Sequence, residues 1–324
     1  LAVGPGDVDI GLNGFSSANG IEIIEAAPGT GNVQLIGGWN GDLLDFSQVT
    51  LIGTNFLING YYGNDTITGS SANDTITGGG NDDRLNGGQG SDTYIVTGNQ
   101  AGGWSSFAGF DSYLDTGTTG TDRLLAVGPG DVDIGLNGFS SANGIEIIEA
   151  APGTGNVRLL GGWSGERFDF SGVTLAGSNF RIETGGGNDT VIGSAGDDSI
   201  NAGSEQDQLI GGLGADQLTG GSSCDTFIFN SIAEIGLEAG KHDVITDFVS
   251  LVDKIDLVNI DANSDLTGDQ AFVYVGAAAF SGVAGELRLI DQVLSGDING
   301  DAHADFRIGL AGVLTLSASA DLRL

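Results

Sequence analysis

Aspartate recurs every nine residues in two stretches of the chain, at Asp65, Asp74, Asp83 and Asp92 and again at Asp189, Asp198, Asp207, Asp216 and Asp225. Two residues after each stands an apolar side chain: Ile67, Ile76, Leu85 and Tyr94, then Val191, Ile200, Leu209, Leu218 and Phe227. Glycine or a small residue leads into each aspartate, as in GGQGSDTYI (87–95) and GGLGADQLT (211–219). Evenly spaced carboxylates beside carbonyl-rich turns are hard oxygen donors. They suit a hard divalent cation such as Ca2+, which accepts about six to eight oxygens. Some blocks depart from the pattern: Tyr61 and Tyr62 interrupt GYYGNDTIT, Glu205 ends a run of Ala202, Gly203 and Ser204, and Ser223 replaces a turn glycine in GGSSCDTFI.

The elements that hold such residues follow from the block itself. Six residues of Gly, Asn, Asp and Ser make a turn, since glycine takes positive φ at little cost. The remaining three, x-apolar-x, make a very short strand with one side chain pointing inward. So short a strand cannot bury its face alone, and successive turns must coil into a solenoid.

The Gly-Gly-x-Gly-x-Asp-x-apolar-x block is a calcium-binding parallel β-helix signature, and the chain resembles the repeats-in-toxin (RTX) family of secreted bacterial proteins. The resemblance implies two nonapeptides per coil. That places Asp65 over Asp83, Asp74 over Asp92, Asp189 over Asp207, Asp198 over Asp216 and Asp207 over Asp225. Stacked strands lie ~4.8 Å apart. Two bare carboxylates at that spacing repel by roughly 1 kcal/mol in water and more in a less polar setting. A bound cation reverses the sign, so metal binding and folding become one event. Five stacked pairs with end sites imply on the order of 5–10 ions, offsetting ~10–20 negative charges. A metal-free solenoid whose aspartates merely cap turns is the alternative.

A second, longer repeat encloses the first. Residues 1–33 recur letter for letter at 125–157, and IGGWNGDLLDFSQVTLIGTNF (36–56) is answered by LGGWSGERFDFSGVTLAGSNF (160–180). We divide the chain into a first long repeat (1–96, nonapeptides at 60–95), a Gly/Ser/Thr-rich linker (97–124), a second long repeat (125–229, nonapeptides at 184–228) and a C-terminal cap (230–324). Residues 1–60 and 125–184 keep short apolar segments, Ile21–Ile24, Val33–Ile36, Leu43–Phe46 and Phe56–Ile58, between turn clusters. They read as wider solenoid rungs, with a small β-sandwich as the alternative.

From Asp225 onward the texture changes to DTFIF, HDVITDFVSLVDKIDL (242–257) and SGDINGDAHADFRIGLAG. This stretch resembles the C-terminal domain of serralysin-type metalloproteases. The resemblance implies a cap on the calcium roll and a type I secretion signal at the extreme C-terminus, where Arg323 departs from the family's usual ending. Asp297, Asn299, Asp301 and Asp305 occupy positions 1, 3, 5 and 9 of an EF-hand-like calcium loop. Ala302 stands in place of its turn glycine, and an acidic surface loop is the other reading. Asp243, Asp247, Asp253 and Asp256 could hold another ion or solvate a face.

Composition excludes several classes. Ten Lys and Arg against 43 Asp and Glu give a net charge of −33, which disfavours nucleic acid and docking on anionic lipid. No apolar run reaches the ~18 residues of a membrane helix, so no membrane insertion is expected. The 59 glycines in 324 residues, against ~7% in ordinary proteins, suggest disorder. Yet 40% hydrophobic residues argue for a buried core. A single cysteine, Cys224, excludes an internal disulfide framework. From the absence of Met and the start at Leu1, the chain is expected to be a part of a longer protein. With only His242 and His303, no HExxH zinc helix can form and catalytic triads have few candidates. No catalytic activity is expected. Trp39, Trp104 and Trp163 could stack on sugar rings if exposed; as solenoid plugs, the reading we favour, they would be buried.

The expected fold is therefore all-β, a right-handed parallel β-roll or β-helix solenoid with calcium-binding turns and a β-rich C-terminal cap. The expected role is a calcium-dependent structural or adhesive module of a secreted or surface-located bacterial protein, exported by type I machinery. Self-association or surface polysaccharide would be its contacts. A C-terminal accessory region of a secreted enzyme is the alternative.

Overall fold

The protein, seen in a computed structural model, is described over residues 6–53, 55–98, 109–177, 179–238 and 240–324; Trp104 lies outside them. Two compact units divide the chain: Leu1–Gly161 with Gly172–Phe180, and Gly162–Ser171 with Arg181–Leu324. Among the described residues the helices are three single 3-10 turns, Ser17–Asn19, Ser141–Asn143 and Ile232–Glu234, and no helix is long and apolar enough to cross a membrane. The fold is an all-β parallel β-roll solenoid.

In the first unit one sheet runs Val8–Gly11, Val33–Ile36, Phe56–Tyr62, Thr75–Gly80, Thr93–Thr97, Arg123–Val127, Ile147–Ala150 and Thr174–Ala176, each neighbour parallel. Facing strands are Leu43–Asp45, Thr66–Thr68, Arg84–Asn86, Phe110–Tyr113, Val132–Leu136 and Val157–Leu160, again parallel. Within the nonapeptides the register steps by 18 residues, Ile58 to Ile76 to Tyr94 on one side and Ile67 to Leu85 on the other. The pleat of Thr66–Thr68 turns only Ile67 inward, and the whole column is buried. Outside the nonapeptides the steps widen, from Val8 to Val33 and from Leu44 to Ile67. The flanks are thus wide parallel rungs rather than a β-sandwich, and the duplicated residues repeat their register: Val8 pairs with Val33 and Val132 with Val157.

The linker expected over 97–124 is corrected in its second half. Phe110–Tyr113 forms a strand paired with both Arg84–Asn86 and Val132–Leu136. Its alternation buries Asp111 and Tyr113. An aromatic residue in a Gly/Ser/Thr-rich stretch proves to be a core residue of another rung.

In the second unit Arg167–Asp169, Thr190–Ile192, Gln208–Ile210, Thr226–Ile228, Lys254–Asp256 and Leu322–Arg323 form a parallel sheet. Across from it, Ile182, Ile200, Leu218, Ile245 and Leu310 stack through parallel strands. The solenoid then ends in antiparallel pairing: Val293–Asp297 lies between Phe306–Leu310 and Glu286–Ile290. Antiparallel hairpins close what parallel rungs would leave as an open end.

Candidate metal centre

Every nonapeptide aspartate is buried, from 1% to 6% exposed, because it sits where the turn passes into the strand beneath the next rung. The carboxylates form ladders. Oδ1 of Asp83 accepts the backbone N–H of Asp65 at 2.8 Å, and Oδ1 of Asp92 accepts that of Asp74 at 2.7 Å. In the second unit Asp207 accepts from Asp189 at 2.8 Å, Asp216 from Asp198 at 2.9 Å and Asp225 from Asp207 at 3.0 Å. The five aspartate pairs expected to stack are the five joined by these bonds.

The other oxygen is left over. Oδ2 of Asp65, Asp83, Asp92, Asp189, Asp207 and Asp216 is buried with no hydrogen-bond partner. A buried polar atom without a partner is costly, and a carboxylate answers by holding its proton. Burial pushes Asp83 and Asp216 up to about 8, Asp92 and Asp207 up to about 7 and Asp65 up to about 6; the ladder N–H bonds pull the other way, and neighbouring carboxylates add to the rise. Asp74 and Asp198 head their ladders and are satisfied differently. Ser70 and Ser194 each give a backbone N–H at 2.6 Å and a hydroxyl at 3.0 Å to the aspartate Oδ2.

Four of the six orphaned oxygens face glycine. A Cβ at Gly60, Gly78, Gly87 or Gly211 would overlap Oδ2 of Asp65, Asp83, Asp92 or Asp216. At Gly60 the same Cβ would also overlap the carbonyl of Gly78 in the next turn. Carboxylate and carbonyl oxygens therefore converge on space that any side chain would fill. That is the donor set of a hard cation, and Asp65, Asp83, Asp92, Asp189, Asp207 and Asp216 are the residues that would hold it. The irregular blocks keep the turn despite their side chains: Tyr61, Glu205 and Ser223 hold φ of 81°, 75° and 96°, a left-handed conformation that costs a non-glycine residue ~1–2 kcal/mol.

A family model, RTX calcium-binding nonapeptide repeat (4 copies), matches residues 59–94 and 183–218. The chain carries RTX calcium-binding nonapeptide repeats. RTX repeats bind calcium ions and characterise secreted-type proteins. No curated protein matches the chain. The matched RTX residues leave out Asp225 and residues 230–324, whose likeness to serralysin-type caps rests on their motifs.

The RTX ladders run beyond the nonapeptides. Asp65 accepts the N–H of Asp42 at 2.6 Å, and Asp189 that of Glu166 at 2.8 Å. At the far ends Asp111 accepts from Asp83 at 2.9 Å and Asp122 from Asp92 at 2.6 Å. Asp243 accepts from Asp216 at 2.9 Å and Asp253 from Asp225 at 3.0 Å. Four of these residues, Asp42, Glu166, Asp111 and Asp122, escaped sequence reasoning. The signal was there: GGWNGDLLD (37–45) is itself a nonapeptide, and each acid stands two residues before a buried apolar one. Uneven rung lengths hid it.

The four C-terminal aspartates divide. Asp243 and Asp253 join ladders, Asp247 accepts the N–H groups of Gly220 and Gly221, and Asp256 pairs with Arg323 at 3.0 Å. In the EF-hand-like loop, buried Asp297 accepts the N–H of Gly300 at 2.7 Å and of Ala302 at 2.9 Å. Asn299 reaches Asp305 at 2.9 Å, and Ala302 takes the glycine-like φ of 64°. Asp301 is turned outward, beside His303 at 3.4 Å.

The tryptophans do not plug the core. Trp39 is 71% exposed and Trp163 89% exposed, because each follows Gly-Gly in a turn rather than lying on a strand. Trp39 stacks on Tyr62 at 5.0 Å with planes 1° apart, and Tyr61 meets both rings edge-on. An open groove of about 680 Å³ lies beside them, lined by Asn59, Tyr61, Tyr62, Thr77, Asn81 and Asp82 among others.

Proposed function

We propose that this chain is a non-catalytic, calcium-dependent structural and adhesive module of a secreted bacterial protein. The observation that carries the reading is the ladder of buried carboxylates whose second oxygens lack partners. A chain of net charge −33 closes such ladders when calcium is supplied. Calcium modules outside cells work at ~10⁻⁴–10⁻³ M, so the chain stays open at low cytoplasmic calcium, passes through type I export machinery and closes outside. The ligand of the adhesive face is a neutral surface polysaccharide. The stacked pair of Trp39 and Tyr62 offers a sugar-ring platform, the groove beside it offers amide, hydroxyl and carboxylate groups, and the acidic surface repels acidic polymers.

Affinity electrophoresis through gels cast with neutral polysaccharides, in calcium, tests the adhesive part. Retardation that falls several-fold in Trp39→Ala supports it. Equal mobility of wild type and variant across the polymers overturns it and leaves the calcium-dependent module standing.

A further inference from the structure

The end of the first array holds a group of carboxylates that the nonapeptide pattern does not contain. The register step from Tyr94 to Leu124 is 30 residues, against 18 from Ile76 to Tyr94. The wider rung brings in Asp115 and Asp122. Carboxylate oxygens of Asp92, Asp115 and Asp122 lie within 4.8 Å of one another, and all three side chains are buried, at 1%, 6% and 5% exposure. We propose that Asp92, Asp115 and Asp122 form a separate calcium site that closes the first array.

An acidic cluster alone would not carry this. The second observation is Asp92 itself: its Oδ1 accepts the N–H of Asp74 at 2.7 Å, and its buried Oδ2 has no partner. The other two carboxylates are held in place by hydrogen bonds. Asp115 accepts the Tyr94 hydroxyl at 3.1 Å on Oδ2 and the N–H of Gly117 at 2.7 Å on Oδ1. Asp122 accepts the N–H of Asp92 at 2.6 Å, and its own N–H goes to Glu146 at 2.7 Å. A Cβ at Gly117 would overlap the carbonyl of Gly88, so a backbone oxygen of the array also comes up to this rung.

Three carboxylates brought together out of water repel strongly, and a divalent ion among them converts that repulsion into attraction. Oxygen-only donors select a hard cation. With three carboxylates this site carries more charge than a stacked nonapeptide pair. More ligand charge tightens calcium binding, so it fills before the nonapeptide sites do. The site borrows Asp92 from the array and therefore rests on the calcium-bound roll proposed above.

The test uses the full chain, with calcium counted by atomic emission after gel filtration and β content followed by circular dichroism. Asp115→Asn keeps the shape of the side chain and removes its charge. The expected result is one bound ion fewer per chain, lost from the tightest class, with the calcium-driven gain of β signal retained. An unchanged ion count with the tightest class intact overturns the site and leaves the array reading untouched. No calcium-driven β gain in the wild type overturns the array reading instead. Should Asp115→Asn fail to fold, terbium luminescence decides. The first equivalent added to wild type luminesces under tyrosine excitation, and the signal falls several-fold in Tyr94→Phe if the site is real. A signal unchanged in Tyr94→Phe overturns it.

Discussion

In the first array the ladder passes from Asp65 and Asp83 to Asp111, whose Oδ2 accepts the Tyr113 hydroxyl at 3.1 Å. In the second it passes from Asp198 and Asp216 to Asp243, whose Oδ2 is buried without a partner. Tyr94 gives its hydroxyl to Asp115 beside the end of the first array; the inward residues at the corresponding end of the second are Phe227 and Ile255, which have none to give. The repeat thus builds the same ladder twice, while the rungs that follow decide how much of its last charge the protein neutralises unaided. The second array is the more dependent on its cation.

The largest expected effect is that of pH on the metal-free chain. Asp83, Asp216, Asp92, Asp207 and Asp65 are all held above the ordinary 3.8 of an aspartate, at about 8, 8, 7, 7 and 6. Because the folded values exceed the unfolded ones, folding takes up protons. Their stabilising share is complete below about pH 4 and is lost as pH rises through 6 to 8. In chelator, with salt enough to screen the net charge, the chain should show at pH 5 part of the β signal that it lacks at pH 8. Calcium affinity should run the opposite way, rising with pH as those protons are displaced. A β signal in chelator that does not change with pH would contradict this.

Next in size is the space beside the orphaned oxygens. Gly78→Ala in the first array and Gly211→Ala in the second both drive a Cβ into an aspartate carboxylate. Overpacking of this kind costs ~1–3 kcal/mol. We expect both variants to need more calcium to fold, by similar amounts, since the arrays differ at their ends and not in these turns. A calcium midpoint unchanged in either variant would break that symmetry.

A smaller change sharpens the contrast of the ends. Tyr113→Phe removes the hydroxyl from Asp111 Oδ2 and leaves the ring in its column. Stranding one buried acceptor costs ~1–3 kcal/mol. The loss should be measurable by chemical denaturation in chelator at pH 5, where protons close the ladders, and largely recovered in calcium. A loss of the same size in both conditions would mean that the first array's end takes no ion.

How much of this was legible in the residues differs between rung and surface. The period of nine with an apolar residue two places on gave the parallel roll, the inward column and the five stacked aspartate pairs, because one short strand per turn leaves a solenoid few ways to close. Asp111 and Asp122 were hidden because wide rungs break the period, although each still stands two residues before a buried side chain, Tyr113 and Leu124. The strand Phe110–Tyr113 was hidden by glycine, serine and threonine around it. Trp39 and Trp163 misled because a large aromatic residue beside Gly-Gly is apolar by type, while the turn that carries it faces water.

The most direct measurement is far-UV circular dichroism of the full chain during a calcium titration, with magnesium as control. Magnesium demands tight octahedral geometry and gives up its water reluctantly, so the carbonyl-lined turns should not accept it. We predict a cooperative gain of β signal at roughly 0.1–1 mM calcium that magnesium does not reproduce. A chain already fully β-structured in chelator at pH 8 would contradict the central claim that the ionised carboxylate ladders close only around a cation.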